Sequence, residues 1–216
     1  FLNIIAGFDP KDSTCIEKPS EDYSRNLNVP LQGIKFGLPK EFFKNELNSG
    51  LQQIFATAIS LVEKLGGKIV DINLPHSSLS IPAYYVIAPA ECSSNLARYD
   101  GIRFGHRAPN TSNIEELYEK TRSEGFGAEV KRRVLIGTYA LSSGYYDEYY
   151  TKAQKVRRLI KNDFSEAYKS VDFILSPTTP TTAFPLNEKI DDPTLMYLQD
   201  IFTIPASLAG LPAISI

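Results

Sequence analysis

The sequence predicts an α/β protein, with a parallel or mixed β-sheet packed against helices. Two observations carry this. Residues 33–39 (GIKFGLP), an apolar-striped segment from Leu51 to Leu65, and residues 68–75 (KIVDINLP) succeed one another as strand, helix and strand. That succession is a βαβ unit, whose crossover makes the two strands parallel neighbours. Much further on, Val171 to Leu175 (VDFIL) reads as another buried strand, and it runs into the Pro/Thr-rich loop SPTTPTTAFP. Loops at the carboxyl ends of sheet strands are where α/β proteins hold their ligands.

Composition sets the outer bounds. The chain has 216 residues, 43% hydrophobic and 22% charged, with a formal net charge of −2. It is long enough to bury a sizeable core and carries no general footprint for a polyanion. Two cysteines, Cys15 and Cys92, make no disulfide framework, and two widely spaced histidines have no metal-ligand spacing. A reducing, cytosol-like compartment fits. No apolar run approaches the roughly 18 residues of a membrane span, and FLNIIAGFDPKDSTC lacks the pattern of a signal peptide.

Taken in order, residues 7–30 are punctuated by Asp-Pro, Lys-Pro and Val-Pro, with Asp12, Ser13 and Thr14 as caps, and read as loop with a short helix. In the helix after the first strand, Leu51, Ile54, Phe55, Ala58, Leu61, Val62 and Leu65 share one stripe, and Gly66-Gly67 supplies the stop. Residues 80–98 form a buried helix that Pro89 kinks or restarts, carrying Tyr84, Tyr85 and Glu91. A tyrosine there serves either as a core residue with a satisfied hydroxyl or as a ligand contact. The loop 99–112 holds His106, read as a surface histidine. Asn113 to Glu124 and the stretch from Gly125 to Phe164 give two or three helices. The last has Val156, Leu159, Ile160 and Phe164 on its apolar side and a solvated basic face of Lys155, Arg157, Arg158 and Lys161. The closing LPAISI reads as a strand.

At about 100° per residue, Phe126, Val130, Arg133, Gly137 and Leu141 fall on one stripe while Lys131 and Arg132 point elsewhere. One arginine therefore faces an apolar side, where it needs a carboxylate. Between Pro193 and Ile216, Asp200 is the only charged residue. Arg133 and Asp200 are thus a pair to follow. They either neutralise each other as a structural ion pair or grip the two charged ends of an amino acid.

A nucleophile with its base is harder to find. The serine pairs 77–78, 93–94 and 142–143 lie in no GxSxG elbow, neither cysteine has a neighbouring histidine, and no GxGxxG or GxxxxGK[ST] loop occurs.

Four stretches stand together: AGFDPKDSTC (6–15), PAYYVIAPAECSSNLARYDGIRFG (82–105), GFGAEVKRRVLIGTYALSSGYYDEYY (125–150) and DDPTLMYLQDIFTIPASLAGLPAISI (191–216). They resemble the amidase signature family and, within it, the glutamine-hydrolysing subunits of tRNA-dependent amidotransferases. The similarity runs over essentially the whole chain, in family order. It implies an α/β fold with a mixed central β-sheet flanked by helices, incomplete here. On that reading residues 1–216 are part of a single amidase domain, without its N-terminal catalytic segment and its C-terminal end.

The resemblance also implies an activity. Ammonia released from glutamine passes to a partner, the B subunit, which amidates activated glutamyl-tRNA(Gln) or aspartyl-tRNA(Asn). The assembly is held together by a small third partner, the C subunit. No cofactor or metal is expected in this chain; ATP and Mg belong to the B subunit, which also makes most tRNA contacts. The expected place is the bacterial cytoplasm or an organellar matrix, away from any membrane.

The family uses a Lys-Ser-Ser triad with its nucleophile in a glycine- and serine-rich stretch. No such stretch stands in this sequence, so no catalytic residue is assigned. By resemblance, Tyr84, Arg133 and Asp200 line the glutamine pocket, with Arg133 facing the α-carboxylate and Asp200 the α-ammonium, and the loop from Ser176 to Pro180 bordering it. The family pattern DSTS is replaced by DSTC at 12–15, a near-isosteric change. Another amidohydrolase of the same family, or an inert structural fragment, are the alternatives.

Overall fold

The computed structural model describes residues 1–43, 48–186 and 193–215. Its centre is a three-stranded sheet among the described residues, built from β1 (Lys35–Pro39), β2 (Lys68–Ile72) and β3 (Phe173–Ile174) in the order β2-β1-β3. Both pairings are parallel, Lys35 opposite Lys68 and Phe36 opposite Phe173. The antiparallel partner that would make the sheet mixed is not among the described strands.

The βαβ reading holds. Between β1 and β2 runs α2 (Ser49–Lys64), opened by Asn48, whose side chain accepts the Gly50 amide. It is closed at Gly66, which takes a positive φ that a side chain would strain. The apolar stripe of α2 is less covered than its periodicity predicts. Phe55 packs on Phe43, but Ile54, Leu61 and Leu65 are each more than half exposed. Among the described residues, β2 and Phe43 lie against this helix, and Leu51 at its start reaches the core.

The helical layer contains α3 (Ser80–Leu96), α4 (Ile114–Gly125), α5 (Ala128–Ala140), α6 (Lys152–Ala167), α7 (Pro193–Leu198) and α8 (Ile204–Ala209), after a short α1 (Leu2–Ile5). Pro89 does not break α3, which runs through it without interruption. Asn113 caps α4 by accepting the Glu116 amide, and Glu116 reaches back to the Ser112 amide. A π-helical turn at Tyr146–Thr151 leads into α6. The core gathers Phe42, Ile72, Leu74, Ile87, Ile160, Phe164, Val171, Phe202 and Leu208.

Four expectations need correction. Residues 7–30 form turns and no helix, because Asp9, Asp12 and Asp22 each accept an amide two residues on, which competes with helical bonding. The strand over Val171–Leu175 shrinks to Phe173–Ile174, and Phe173 is 55% exposed at the edge of the sheet, its ring stacked on Phe36. Ladder-like bonds still flank it, Asp172 to the Lys35 carbonyl and Leu175 to the Gly37 carbonyl. Residues 211–215 form no strand, having no neighbour in the described sheet; Ile216 lies outside the described residues. On α6, Leu159 is exposed, whereas Arg157 leaves the solvated face: its Nε donates to the Leu208 carbonyl at 2.9 Å, fastening α8 to α6.

Candidate functional site

α3 and α5 make the largest helix–helix contact among the described elements. Their closest approach is at Gly137, where a Cβ would overlap the backbone carbonyl of Pro89. Arg133 lies one helical turn before Gly137 on the same stripe, and Tyr85 lies one turn before Pro89. The small residue and the proline thus bring an arginine to a tyrosine.

Arg133 keeps 41% of its side chain exposed and pairs with Glu129 across 3.5 Å, a contact Glu129 shares with Arg132 at 2.7 Å. Among the described residues no ion pair joins Arg133 to Asp200. A surface pair at i,i+4 is worth only about 0.3–0.5 kcal/mol, so Glu129 costs little to give up for another carboxylate.

Asp200 lies in the turn after α7. Its amide donates to the Tyr197 carbonyl at 3.2 Å, and its own carbonyl receives the amides of Thr203 and Ile204 at 3.1 and 3.0 Å. The backbone is therefore fixed from both sides while the residue stays exposed. The preceding residue, Gln199, accepts from the Thr181 hydroxyl at 2.9 Å, which tethers the Pro/Thr-rich loop to this turn.

Tyr85 joins the two halves. Its ring lies 5.0 Å edge-on from Tyr84 and 4.1 Å from the ring of Tyr197. Its phenol is pushed up to about 12, first by burial, then by the negative charge of Asp200 and by Tyr84 and Tyr197, with Arg133 pulling the other way. Arg133 and Asp200 therefore both act on one phenol without pairing with each other. Of the three residues expected from the sequence, Tyr84 touches the Tyr85 ring, while Arg133 and Asp200 reach its phenol through their charge. The sequence marks Tyr85 only as a helix tyrosine, because its contact with Tyr197 depends on a second element, α7.

Other features lie elsewhere. A cleft of about 460 Å³ between α3 and the π-helical turn is lined by Glu91, Ser94, Asn95, Tyr146 and Tyr150, and by none of the expected site residues. Ser93 and Ser142 donate to backbone carbonyls, as helix and turn serines do. His106 pairs with Glu124, and His76 with Asp163. Asp163 is a further site that periodicity did not reveal: with 9% of its side chain exposed, it accepts both the amide and the Nδ1 of His76, at 2.8 and 2.9 Å.

The profile of the amidase family matches residues 1–216. The chain belongs to the amidase family. Among curated relatives, it is 60% identical over 215 residues to the glutamyl-tRNA(Gln) amidotransferase A subunit of Hahella chejuensis, covering 100% of this chain and 44% of that protein. The corresponding protein of Thioalkalivibrio sulfidiphilus is 57% identical, with 99% and 44% covered. The chain thus spans less than half the length of these relatives. Among solved structures, the glutamyl-tRNA(Gln) amidotransferase A subunit of Thermotoga maritima superposes with a TM-score of 0.68 at 38% identity, over 99% of this chain and 43% of that one. A bacterial aryl acylamidase of the amidase signature family gives 0.62 at 16% identity, over 100% and 44%, a likeness of fold alone. The α/β amidase fold expected from the sequence is therefore the fold of this chain.

Proposed function

We propose that the protein to which residues 1–216 belong is the glutamine-hydrolysing subunit of a tRNA-dependent amidotransferase, and that this chain supplies the amino-acid pocket. Arg133 takes the α-carboxylate, Asp200 the α-ammonium, and Tyr84 lines the space between. One observation carries the reading: Arg133 on α5 pairs with Glu129 of its own helix and, among the described residues, forms no ion pair with Asp200, which stays exposed in the turn after α7 beside the Tyr85–Tyr197 ring contact. A free amino acid offers one group of each sign on a single carbon, and matched charges at fixed spacing select it over a simple amide. The names of the relatives support the choice of glutamine as the amide.

The nucleophile then comes from a glycine- and serine-rich stretch outside residues 1–216, within the same amidase domain. Released ammonia goes to the B subunit, which activates glutamyl-tRNA(Gln) or aspartyl-tRNA(Asn) with ATP and Mg and makes most tRNA contacts. The two are held together by the C subunit. Such a role belongs to translation in the cytoplasm or an organellar matrix. Among the described residues, no helix is long and apolar enough to cross a membrane.

The test is Arg133→Ala in the intact protein, assayed for ammonia release. Loss of a charged hydrogen bond costs about 1.5–3 kcal/mol, so the glutamine KM is expected to rise about 10- to 100-fold. An unchanged KM removes Arg133 from the pocket.

A further inference from the structure

Tyr85 has a place in the fold that the three pocket residues do not explain. It stands on α3 beside Tyr84, its ring tilted by 38° against Tyr197 and nearly perpendicular, at 89°, to Tyr84. Tyr197 is bound to Asp200 within one turn through the amide of Asp200, and that turn is fixed to the start of α8 by the amides of Thr203 and Ile204. Tyr197 and Asp200 are therefore held in one backbone turn. On the other side, Tyr85 shares α3 with Tyr84 and with Pro89, against which α5 and its Arg133 are seated. Pro89 has no N–H to offer the carbonyl of Tyr85, so the helical bond at that point is missing.

We propose that Tyr85 is a positioning residue of the amino-acid pocket: its ring, held between Tyr84 and Tyr197, sets the distance from the Arg133 wall to Asp200. The proposal rests on Arg133 and Asp200 being the two poles of the pocket. The α-carboxylate and α-ammonium of an amino acid hang from one carbon, so the ligand cannot stretch to follow walls that drift apart. The spacing must be set by the protein, and an aromatic ring is a stiff spacer with two side-chain torsions. Burial and the nearby carboxylate keep the phenol protonated over the whole working range, so it adds no third charge to the balance between the poles.

The experiment compares two amides in the intact protein: glutamine, and the same amide without its α-amino group. Tyr85→Leu removes the spacer. The expected result is a rise of about 10-fold in the KM for glutamine, with kcat and the KM for the deaminated amide changed by less than about threefold, because only the reach to Asp200 is lost. Tyr85→Phe keeps the ring and is expected to restore the KM for glutamine to within about threefold. If Tyr85→Leu does not fold, Tyr197→Leu, on the more peripheral α7, is expected to give the same selective loss.

Equal losses for both amides, or no loss for glutamine in a folded variant, overturn the positioning role. The pocket reading is checked separately with Arg133→Ala and Asp200→Ala. If those two leave the glutamine KM unchanged, the poles themselves are wrong. If they raise it and Tyr85→Leu does not, only the role of Tyr85 fails.

Discussion

Gly137 of α5 lies so close to the carbonyl of Pro89 in α3 that no side chain fits between them. This backbone contact fixes where Arg133 stands. Each partner has a polar neighbour one turn earlier, Arg133 on α5 and Tyr85 on α3. The candidate pocket is thus built on a helix crossing, with a loop turn brought up to it from α7.

Gly137→Ala tests that crossing. Alanine gains roughly 1 kcal/mol of helix propensity over glycine. Overpacking costs about 1–3 kcal/mol, and the obstacle here is backbone, which cannot rotate away. The variant is expected to unfold at lower temperature and to bind glutamine more weakly, as calorimetry and KM will show. A more stable variant would mean that the helices part without penalty.

Asp200→Asn removes charge but keeps shape at an exposed position whose backbone bonds are unaffected. The melting temperature is expected to stay within about 2 °C, as for surface substitutions away from special features. The KM for glutamine is expected to rise about 10-fold or more through loss of a charged hydrogen bond to the α-ammonium. Kinetics with glutamine beside thermal unfolding separate the two effects.

Asp163→Ala removes an acceptor with 9% side-chain exposure that holds both the amide and the ring of His76. Leaving these donors without their partner costs about 1–3 kcal/mol, measurable as a drop in denaturant midpoint. Faster exchange of the His76 amide would locate the loss at the junction of the β2 loop with α6.

Glu116 gives the start of α4 a dependence on pH. Its carboxyl is held at about 2, below an ordinary value of 4.5, first by the hydrogen bond from Lys120 and then by those from Ser112. A group whose pKa is depressed by folding stabilises the fold above its unfolded value. That contribution falls away as pH drops from about 4.5 towards 2. Amide exchange at Glu116 and Leu117 is expected to rise over this window, and Glu116→Gln to abolish the dependence.

Much of the fold was legible because periodicity reports on geometry that each element makes for itself. The stripe from Phe126 to Leu141 located α5 and distinguished Arg133 from Arg132. A lone aspartate in an apolar stretch pointed to Asp200. What periodicity could not convey were facts about two elements at once. Nothing local to α6 says that Asp163 receives His76 or that Arg157 leaves the solvent for Leu208. Nothing in AYY says which ring meets Tyr197. The same limit explains α2, whose stripe is real while its cover is sparse, and β3, whose apolar run marks a strand but not its place at an edge.

The sparse cover of α2 has a consequence for handling the polypeptide. Ile54 and Leu61 line one side of a sixteen-residue helix, Leu65 follows at its C-terminal cap, and the three are 65%, 56% and 52% exposed. A greasy rib of that kind is a colloidal liability, because two such helices in water gain by meeting. Prepared as residues 1–216 alone, the protein will scatter light as its concentration rises and will brighten a hydrophobic dye. Glutamates introduced at positions 54 and 61 are expected to quiet both signals while leaving the distant α3–α5 crossing intact.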